Sequence, residues 1–446
     1  MSHAIQQFPP GPRSLIPGTR VFQFRRDVLG YLTQLSRDYG DAVSFTAGLR
    51  RFYVFYHPDA IRDVLVTHED CFMKGPALRQ ARNMLGNGLL LSEGDFHKRQ
   101  RRLAQPAFHP QRVGSYAAAM THFAKQLSDR WQDGQTVDLH EQMMQLTLAV
   151  VAKTLFDADV QSDVAVIGQA MDTSVKMFRR AMIPFGRLLN WLPLPSNFRF
   201  WKARRLLWAK IAEFIHQRRT SGVDRGDLLS MLLRATDGEG DGQGMSDLQL
   251  RDECITLFTA GHETTANAMT FAWYLLAQHP DIEGRLHDEL QTVLNGRLPT
   301  AEDVPLLPYT RAVLAEAMRL YPPAWAIGRE VVTECQIGGY MLKPGAVVLV
   351  CQWITHRDER FWPNPLRFDP GRWLGKTDRP RYAYFPFGGG ARACIGESFA
   401  WMEAILLLAT LAQGWRAQLL DDAPLALLPA ITLRPKNGVR ARLIRR

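Results

Sequence analysis

Residues 385–400 read FPFGGGARACIGESFA, and they carry the strongest indication of the fold. Three consecutive glycines beginning at Gly388 disfavour helix and strand and allow the backbone to approach another group closely. Cys394 follows Arg392 by two residues, and Gly396 precedes the helix-compatible run SFAWMEAILLLATLA. The dipole and the unpaired N–H groups of a helix N-terminus favour a thiolate. The stretch therefore predicts a thiolate loop against which a flat cofactor stacks, although a cysteine in isolation is usually a small buried apolar residue.

A long helix is predicted from the capping residue Ser246 to about Gln278, a length of roughly 50 Å. Its centre, residues 260–265, reads AGHETT. A glycine inside a helix costs about 1 kcal/mol relative to alanine. The hydroxyl of Thr264 can bond back to the carbonyl of Ala260, which tends to bend a helix. Such local conflict in a long helix is expected at a functional site, and the alternative is an exposed acidic stripe in which the threonines are fillers.

A third segment, LAEAMRLYPP at residues 314–323, places Glu316 and Arg319 on one face of a helix. The proline pair that follows ends this helix. From the spacing alone, the pair is either a buried ion pair or a solvated surface pair that contributes little to stability.

Together these segments resemble the cytochrome P-450 family. The thiolate loop matches the haem-binding signature of that family at Phe387, Gly390, Arg392, Cys394 and Gly396. The likeness covers almost the whole chain, from the FPPGP opening at Phe8 to the end. It implies a mainly α fold with small β-sheets (α+β) in a single haem domain over residues 1–446. It also implies haem b, with Cys394 as the axial thiolate and with Phe387, Gly388 and Gly396 beside the cofactor.

AGHETT matches the oxygen-binding motif of the same family. The resemblance implies that Thr264 donates a hydrogen bond to the oxygen co-substrate, that Glu263 helps relay protons from solvent, and that Ala260 lies beside the cofactor. Cleavage of the O–O bond consumes protons, so a titratable side chain at this position makes chemical sense. We expect His262 to be a packing or surface residue and not a ligand.

The resemblance also assigns cations and a structural ion-pair cluster. His97 and Arg101, four residues apart, would pair with the haem propionates together with Arg329 and Arg392, although basic residues are ordinarily solvated. His97 stands where this family frequently has tryptophan. Glu316 and Arg319 would form the buried cluster beneath the haem with a third member, which the segment FDPGRW at residues 368–373 supplies as Arg372.

Composition limits the classes of protein and location. The 446 residues are 46% hydrophobic and 22% charged, as in a globular protein, and carry a net charge of +10. The positive excess is scattered and accompanied by no zinc-finger spacing, which argues against nucleic acid as a partner. Five cysteines, odd in number and far apart, suit a reducing compartment. No signal peptide and no apolar run of about 20 residues is present, so we expect a soluble, cytoplasmic protein.

Three β-rich patches are predicted. The first is a hairpin of Ala42–Thr46 with Phe52–Tyr56, and the second covers Val331–Trp353. At the end of the chain, ITLRP and VRARLI flank Asn437–Gly438, the strongest short hairpin signal. Between the first two patches, Met177–Trp208 mixes apolar and basic residues. It favours an ordinary lid, with peripheral contact to an anionic membrane or steering of an anionic substrate as alternatives.

The predicted activity is insertion of one oxygen atom of O₂ into a lipophilic substrate by hydroxylation or epoxidation. The predicted pocket segments are mostly apolar, which leaves a fatty acid, a terpenoid or a steroid-like molecule open: Met84–Leu91, Phe258, Ala260, Ala324–Ile327 and Leu428–Ile431. We expect electrons from a separate ferredoxin or flavodoxin with its reductase, docked on Lys98, Arg99 and Arg102. A peroxide-driven or rearranging thiolate-haem enzyme and a non-enzymatic haem or lipophile carrier are the alternatives.

Overall fold

A computed structural model describes residues 8–12, 24, 26–47, 50–157, 192–238, 240, 242–376, 378–421 and 423–446. Its α-helices are α1 (Val28–Tyr39), α2 (Pro58–Arg62), α3 (Pro76–Arg79), α4 (Arg82–Leu85), α5 (Gly94–Ala104), α6 (Pro110–Gly114), α7 (Ala117–Arg130), α8 (Leu139–Phe156), α9 (Pro195–Ser221), α10 (Leu228–Arg234), α11 (Asp247–Gln278), α12 (Pro280–Leu294), α13 (Pro308–Leu320), α14 (Gln352–Thr355) and α15 (Glu397–Gly414). Its strands are β1 (Ala42–Ala47), β2 (Arg50–Phe55), β3 (Phe72–Lys74), β4 (Thr136–Asp138), β5 (Ile327–Val331), β6 (Cys335–Ile337), β7 (Tyr340–Leu342), β8 (Val347–Val350), β9 (Trp415–Leu419), β10 (Leu427–Pro429), β11 (Leu433–Pro435) and β12 (Arg440–Arg445). The predicted class, mainly α with small β-sheets, is confirmed.

The chain divides into two compact units. The helical unit falls within residues 80–317, 369–374 and 395–446, and the sheet unit within residues 1–79, 318–368 and 375–394. The single haem domain over residues 1–446 stays a prediction.

The longest described helix of the helical unit is α11, which begins and ends where the sequence predicted. Ser246 accepts a hydrogen bond from the Gln249 backbone N–H, and the Gln249 side chain bonds back to the Ser246 backbone N–H. This capping box fixes the start of the helix. Most residues of α11 are buried, because α8, α9, α15 and β9 pack around it within the helical unit. A helix buried on most sides is a rigid support for side chains at its centre.

A five-stranded mixed sheet, in the order β1-β2-β8-β5-β3, forms the framework of the sheet unit. The predicted first hairpin is confirmed, with Ala42 opposite Phe55 and the rings of Phe45 and Phe52 stacked at 5.4 Å. Strands β2 and β8 are parallel, and the other neighbouring pairs of this sheet are antiparallel. One of its apolar clusters includes Phe385, so this cluster packs against the first residue of the thiolate loop.

The proline-rich opening lies along β1. Ser44 donates to the Pro10 carbonyl from its backbone N–H (3.0 Å) and to the Pro9 carbonyl from its hydroxyl (2.9 Å). A side chain at Gly11 would collide with the Ser44 carbonyl, so this close approach requires glycine.

The predicted terminal hairpin is wrong. β11 pairs with β10, whereas β12 pairs with β4 and β9, so the segments on either side of Asn437–Gly438 belong to different sheets. A type I′ turn needs positive φ at both central residues, and of this pair only Gly438 has it (φ 73°). Gly438 instead packs against the carboxylate of Asp138, which accepts the Val439 N–H at 3.0 Å. Pairing with distant strands therefore outweighs the local turn signal.

No helix among the described residues is long and apolar enough to cross a lipid bilayer. Of the predicted lid Met177–Trp208, residues 177–191 lie outside the described part, and α9 begins at Pro195. All five cysteines are described, and none of them forms a disulfide.

Candidate functional site

The thiolate loop is a tight backbone turn in the sheet unit. The Cys394 N–H donates to the Phe387 carbonyl at 2.9 Å, and the Gly388 N–H donates to the Phe385 carbonyl at 3.0 Å. Gly388 has a φ of 75° and Gly390 a φ of 67°, values that favour glycine. These bonds close the loop on itself and hold Cys394 at its end.

Close packing explains two of the three glycines. A Cβ at Gly389 would lie 2.7 Å from the ring of Tyr382, and one at Gly390 would collide with the Leu65 carbonyl oxygen. The sequence-based account attributed the glycines to a stacked cofactor. At these two positions the packing of the protein itself, against a tyrosine ring at Gly389 and a backbone carbonyl at Gly390, favours glycine.

Cys394 is exposed, which sets it apart from the other cysteines. Cys254 and Cys351 are fully buried, and burial raises the pKa of Cys254 and raises the pKa of Cys351 to about 12. Both are therefore inert thiols at neutral pH. Of the five thiols, that of Cys394 is the most accessible to an external group.

The centre of α11 combines buried and accessible residues. His262 and Glu263 are buried, whereas Ala260 is exposed and Thr264 is half-buried. The Thr264 hydroxyl donates to the Ala260 carbonyl at 2.6 Å, the local bond that the sequence predicted. Gly261 lies against α8, where a Cβ would be 3.3 Å from the Val151 side chain. The accessible stripe on an otherwise buried helix therefore consists of small and hydroxyl-bearing residues.

Burial lowers the pKa of His262 to about 4, so this imidazole is neutral. Its ring stacks on Phe258 with a centroid distance of 6.5 Å, and its backbone carbonyl accepts the Thr147 hydroxyl of α8 at 3.1 Å. His262 thus packs between helices.

Glu316 lies at the centre of a buried polar cluster in the helical unit. Its fully buried carboxylate accepts from the Asp369 N–H (3.1 Å), the Arg372 guanidinium (3.0 Å) and the Trp373 indole N–H (2.9 Å). Three donors on one carboxylate satisfy a buried charge that would otherwise be costly.

Arg319, one turn further along α13, is fully buried in the sheet unit. It donates to the carbonyls of His356 (2.8 Å), Pro365 (2.7 Å) and Arg367 (3.2 Å). Its guanidinium also stacks over the Trp362 ring at 5.0 Å. Arg319 therefore holds together the irregular chain that leads towards the thiolate loop.

Comparison with known proteins identifies the family. The family model described as "Cytochrome P450" matches residues 9–439. The chain belongs to the cytochrome P-450 family. It is 40% identical to a cyclooctat-9-en-7-ol 5-monooxygenase of Streptomyces melanosporofaciens, over 85% of this chain and 83% of that protein. It is 36% identical to a pentalenene oxygenase of Streptomyces avermitilis, over 96% of this chain and 95% of that protein.

A solved structure supports the same family. The crystal structure of the cytochrome P450DA haem domain superposes with a TM-score of 0.88 and 27% identity, covering 100% of this chain and 99% of that chain. The protein is therefore a haem-thiolate monooxygenase that uses haem b and O₂. Like other monooxygenases of this family, it takes electrons from a redox partner and binds a lipophilic substrate.

The described residues of this cytochrome P-450 fit a haem group. The loop offers an exposed thiol, a donor that suits haem iron. Four basic residues predicted for the propionates are also defined: His97 and Arg329 are buried, whereas Arg101 and Arg392 are half-buried. His97 and Arg101 lie on α5, Arg329 on β5 and Arg392 in a 3₁₀ turn over Gly390–Arg392. Gly396 caps the N-terminus of α15.

Two residues of the predicted basic docking face on α5 form ion pairs within the helical unit. The Arg102 guanidinium binds both carboxylate oxygens of Asp237, at 2.9 and 3.1 Å, and Arg99 lies 3.5 Å from the same carboxylate. Asp237 is buried, so these two arginines neutralise an internal charge of the helical unit. Lys98 is well exposed and lies 3.7 Å from Asp95. Two of the three predicted docking residues therefore have a structural role.

Sequence reasoning missed His356, which supports the thiolate loop. Its Nε2 accepts the Phe385 N–H at 3.0 Å, and its ring packs against Tyr384 and Phe385 with centroids 5.1 and 5.3 Å away. Burial lowers the pKa of His356 well below its usual value, which keeps Nε2 an acceptor. Arg319 also donates to the carbonyl of His356, so His356 connects the buried arginine to the thiolate loop. The only sequence signal is a histidine six residues after the apolar strand β8, directly behind the short helix α14.

Glu403 is a second residue that the sequence analysis missed. It lies fully buried in α15, and burial raises its pKa to about 8, with a smaller lowering by the Thr265 hydroxyl of α11. An acid inside the apolar run AWMEAILLL was the available signal. At neutral pH the buried carboxyl is therefore largely protonated.

Two adjacent acids of α11 hold the predicted pocket segment Met84–Leu91. Asp252 accepts the Asn87 N–H at 2.7 Å, and Glu253 accepts the Leu89 N–H at 2.9 Å. Burial raises the pKa of Glu253 from 4.5 to about 7, and the neighbouring Asp252 adds to the rise. Its surroundings thus bring the pKa of Glu253 close to neutral pH.

This pKa predicts a pH-dependent stability difference. The folded protein keeps a proton on Glu253 that the unfolded chain releases near pH 4.5, so stability is lost as the pH rises from there to about 7. Glu253→Gln removes the titration and keeps an acceptor for Leu89. Between about pH 4.5 and pH 7.5, the free energy of unfolding of the variant should rise relative to that of wild type by on the order of 3 kcal/mol. The measurement is urea unfolding of the holoenzyme.

Glu141→Gln, at an exposed acid on α8, is the control and should show the pH dependence of wild type. If the difference in stability between Glu253→Gln and wild type were the same at both ends of the pH range, the raised pKa of Glu253 would be contradicted.

Proposed function

We propose that this cytochrome P-450 hydroxylates a polycyclic terpenoid. The observation that carries the proposal is the pair of relatives, 36% and 40% identical over most of the chain, whose names specify pentalenene and cyclooctat-9-en-7-ol as substrates. The predicted pocket segments support it, because Met84, Leu85, Leu89, Leu91 and Phe258 are all buried apolar residues. A rigid hydrocarbon gains binding energy from such surfaces and needs few polar partners.

The site residues are proposed to act as follows. Haem bound through a cysteine thiolate activates O₂ and inserts one oxygen atom into an unactivated C–H bond. Cys394 would ligate the iron, and His97, Arg101, Arg329 and Arg392 would neutralise the propionates. The small side chain of Ala260 would leave room for the cofactor beside α11. Phe387 and Gly388 would shape the loop beneath it.

The substrate class can be tested by titrating the oxidised holoenzyme with pentalenene, cyclooctat-9-en-7-ol, palmitic acid and progesterone. We expect the two terpenoids to shift the Soret band at lower concentration than the fatty acid or the steroid. With an electron-donor system present, mass spectrometry should detect addition of one oxygen atom to a terpenoid. Tighter binding and faster oxidation of palmitic acid or progesterone would contradict the terpenoid proposal.

Glu263 and Thr264 are proposed to deliver protons. The intact acid–threonine pair favours a monooxygenase driven by reductant over one driven by peroxide. Thr264→Ala should still bind substrate and consume reductant but release more of the oxygen as hydrogen peroxide. Glu263→Gln should slow product formation and raise its solvent deuterium isotope effect, with a loss of up to about 100-fold, the lower range for a general acid.

The measurement is the ratio of product to reductant consumed, with peroxide quantified in parallel. Thr259→Ala is the matched control, because its hydroxyl also bonds back along α11, to Ile255 at 2.7 Å. Wild-type coupling in both Thr264→Ala and Glu263→Gln would refute the assignment.

The electron donor is proposed to be an acidic ferredoxin or flavodoxin served by its own reductase. The net charge of +10 supports an acidic partner, and exposed Lys98 is a candidate contact. Reduction by a bacterial [2Fe–2S] ferredoxin should slow as salt shortens the screening length from about 10 Å at 0.1 M, and Lys98→Glu should slow it further. Lys210→Glu, on α9, is the control. Reduction that ignores both salt and Lys98→Glu would place the docking surface elsewhere.

A further inference from the structure

A hydroxyl group from the C-terminal strands contacts the acid of the proposed proton relay. Thr432 lies in the turn between β10 and β11, and its hydroxyl donates to Glu263 Oε1 at 2.5 Å. The Asn267 side-chain amide, one turn further along α11 than Glu263, lies 3.5 Å from the same hydroxyl oxygen. All three residues are buried and belong to the helical unit. The Thr432 hydroxyl therefore bridges two successive turns of the central helix.

The direction of these bonds has an electrostatic consequence. The amide nitrogen of Asn267, which faces the threonine oxygen, can only donate, and this leaves the single hydroxyl hydrogen of Thr432 for the carboxylate. A donor chain that ends on a carboxylate favours its ionised form, and bonds to a charged acceptor are stronger than neutral ones. The turn that carries the hydroxyl is itself closed, because the Ala430 N–H donates to the Thr432 carbonyl at 3.0 Å. The donor is thus presented from a fixed position.

We propose that Thr432 is a positioning residue for proton delivery, whose hydroxyl holds the Glu263 carboxylate in one buried orientation. The inference rests on the proposed function of Glu263 and adds a residue outside the AGHETT motif. A carboxylate on a two-carbon side chain has several rotamers, and only some of them suit transfer to a neighbouring group. Loss of the hydroxyl would remove this one constraint on the carboxylate and leave the acid itself in place. Proton delivery would then fail more often, although substrate would bind as before.

Thr432→Val replaces the hydroxyl by a methyl group of similar size, and Thr432→Ser keeps the hydroxyl. With pentalenene as probe, Thr432→Val should lower the product formed per reductant consumed by about tenfold, the effect of one hydrogen bond to a charged group. Its solvent isotope effect should rise, and its pentalenene dissociation constant should stay within about twofold of wild type. Thr432→Ser should restore coupling. Thr410→Val, which removes a buried hydroxyl bonded only within α15 as far as the described residues show, is the matched control and should couple like wild type.

A double-mutant cycle separates positioning from a structural effect. If Thr432 acts through Glu263, Thr432→Val should cause no further loss in the Glu263→Gln background, whereas independent effects would add. An infrared measurement needs neither substrate nor turnover: the carboxylate band assigned to Glu263, by subtraction of the Glu263→Gln spectrum, should shift in Thr432→Val and stay in place in Thr432→Ser.

Two failures are distinguishable. Uncoupling in Glu263→Gln with wild-type coupling in Thr432→Val would overturn this inference and leave the proposed relay intact. Wild-type coupling in Glu263→Gln would overturn the relay and this inference with it. Additive losses in the cycle, or an unshifted carboxylate band, would also overturn it.

Discussion

Cys394→His is expected to retain part of the haem but to lose the red-shifted Soret band of the reduced, carbon monoxide-bound enzyme, together with most oxygenase activity. That band reports a thiolate ligand, and imidazole donates much less electron density to the iron. The loop should survive the substitution, because its closing bond uses the Cys394 backbone N–H and the Phe387 carbonyl. The measurement is the carbon monoxide difference spectrum of the purified variant, with haem content determined separately.

Cys71→Ser is the control, since Cys71 is a half-buried free thiol of the same sheet unit. It should keep the red-shifted band at wild-type intensity per haem. Persistence of that band in Cys394→His would mean that another cysteine ligates the iron, and the proposed assignment of the loop would fail.

Glu316→Ala is expected to cost about 3–5 kcal/mol of stability, the largest loss from any single substitution considered for this chain. The change leaves the Arg372 guanidinium, the Trp373 indole and the Asp369 N–H without their common acceptor in a buried place. An unpaired buried charge is far more costly than an absent ion pair. The measurement is urea unfolding of the holoenzyme, followed by far-ultraviolet circular dichroism.

Two comparison variants define the cause. Glu316→Gln keeps an acceptor oxygen and should lose less than Glu316→Ala, because only the charge is removed. Glu213→Ala breaks the exposed pair with Lys210 on α9 and should change stability by no more than about 0.5 kcal/mol. A loss for Glu316→Ala as small as that for Glu213→Ala would contradict the buried-cluster account.

The sequence predicted the features that depend on neighbouring residues. The bond from Thr264 to Ala260 and the capping of α11 by Ser246 join residues three or four apart, and helical spacing alone brings them together. The β1–β2 hairpin is similarly local. The family resemblance also predicted one contact between distant residues, because it named Arg372 as a partner of Glu316 across 56 residues of chain. Spacing alone had left the pair of Glu316 and Arg319 undecided between surface and interior.

Tertiary structure alone decided the contacts between distant segments, because a single sequence contains no distances. Local propensity at Asn437–Gly438 favoured a hairpin, yet β12 gains two partner strands by pairing elsewhere. From the sequence, Arg99 and Arg102 were expected to form a basic surface. In the folded protein, both lie against the buried carboxylate of Asp237. The hydroxyl of Thr432 reaches Glu263 across 169 residues for the same reason. The sequence by itself therefore determined the thiolate loop and the threonine-bearing helix, whose chemistry is local, whereas packing determined which side chains hold them in position.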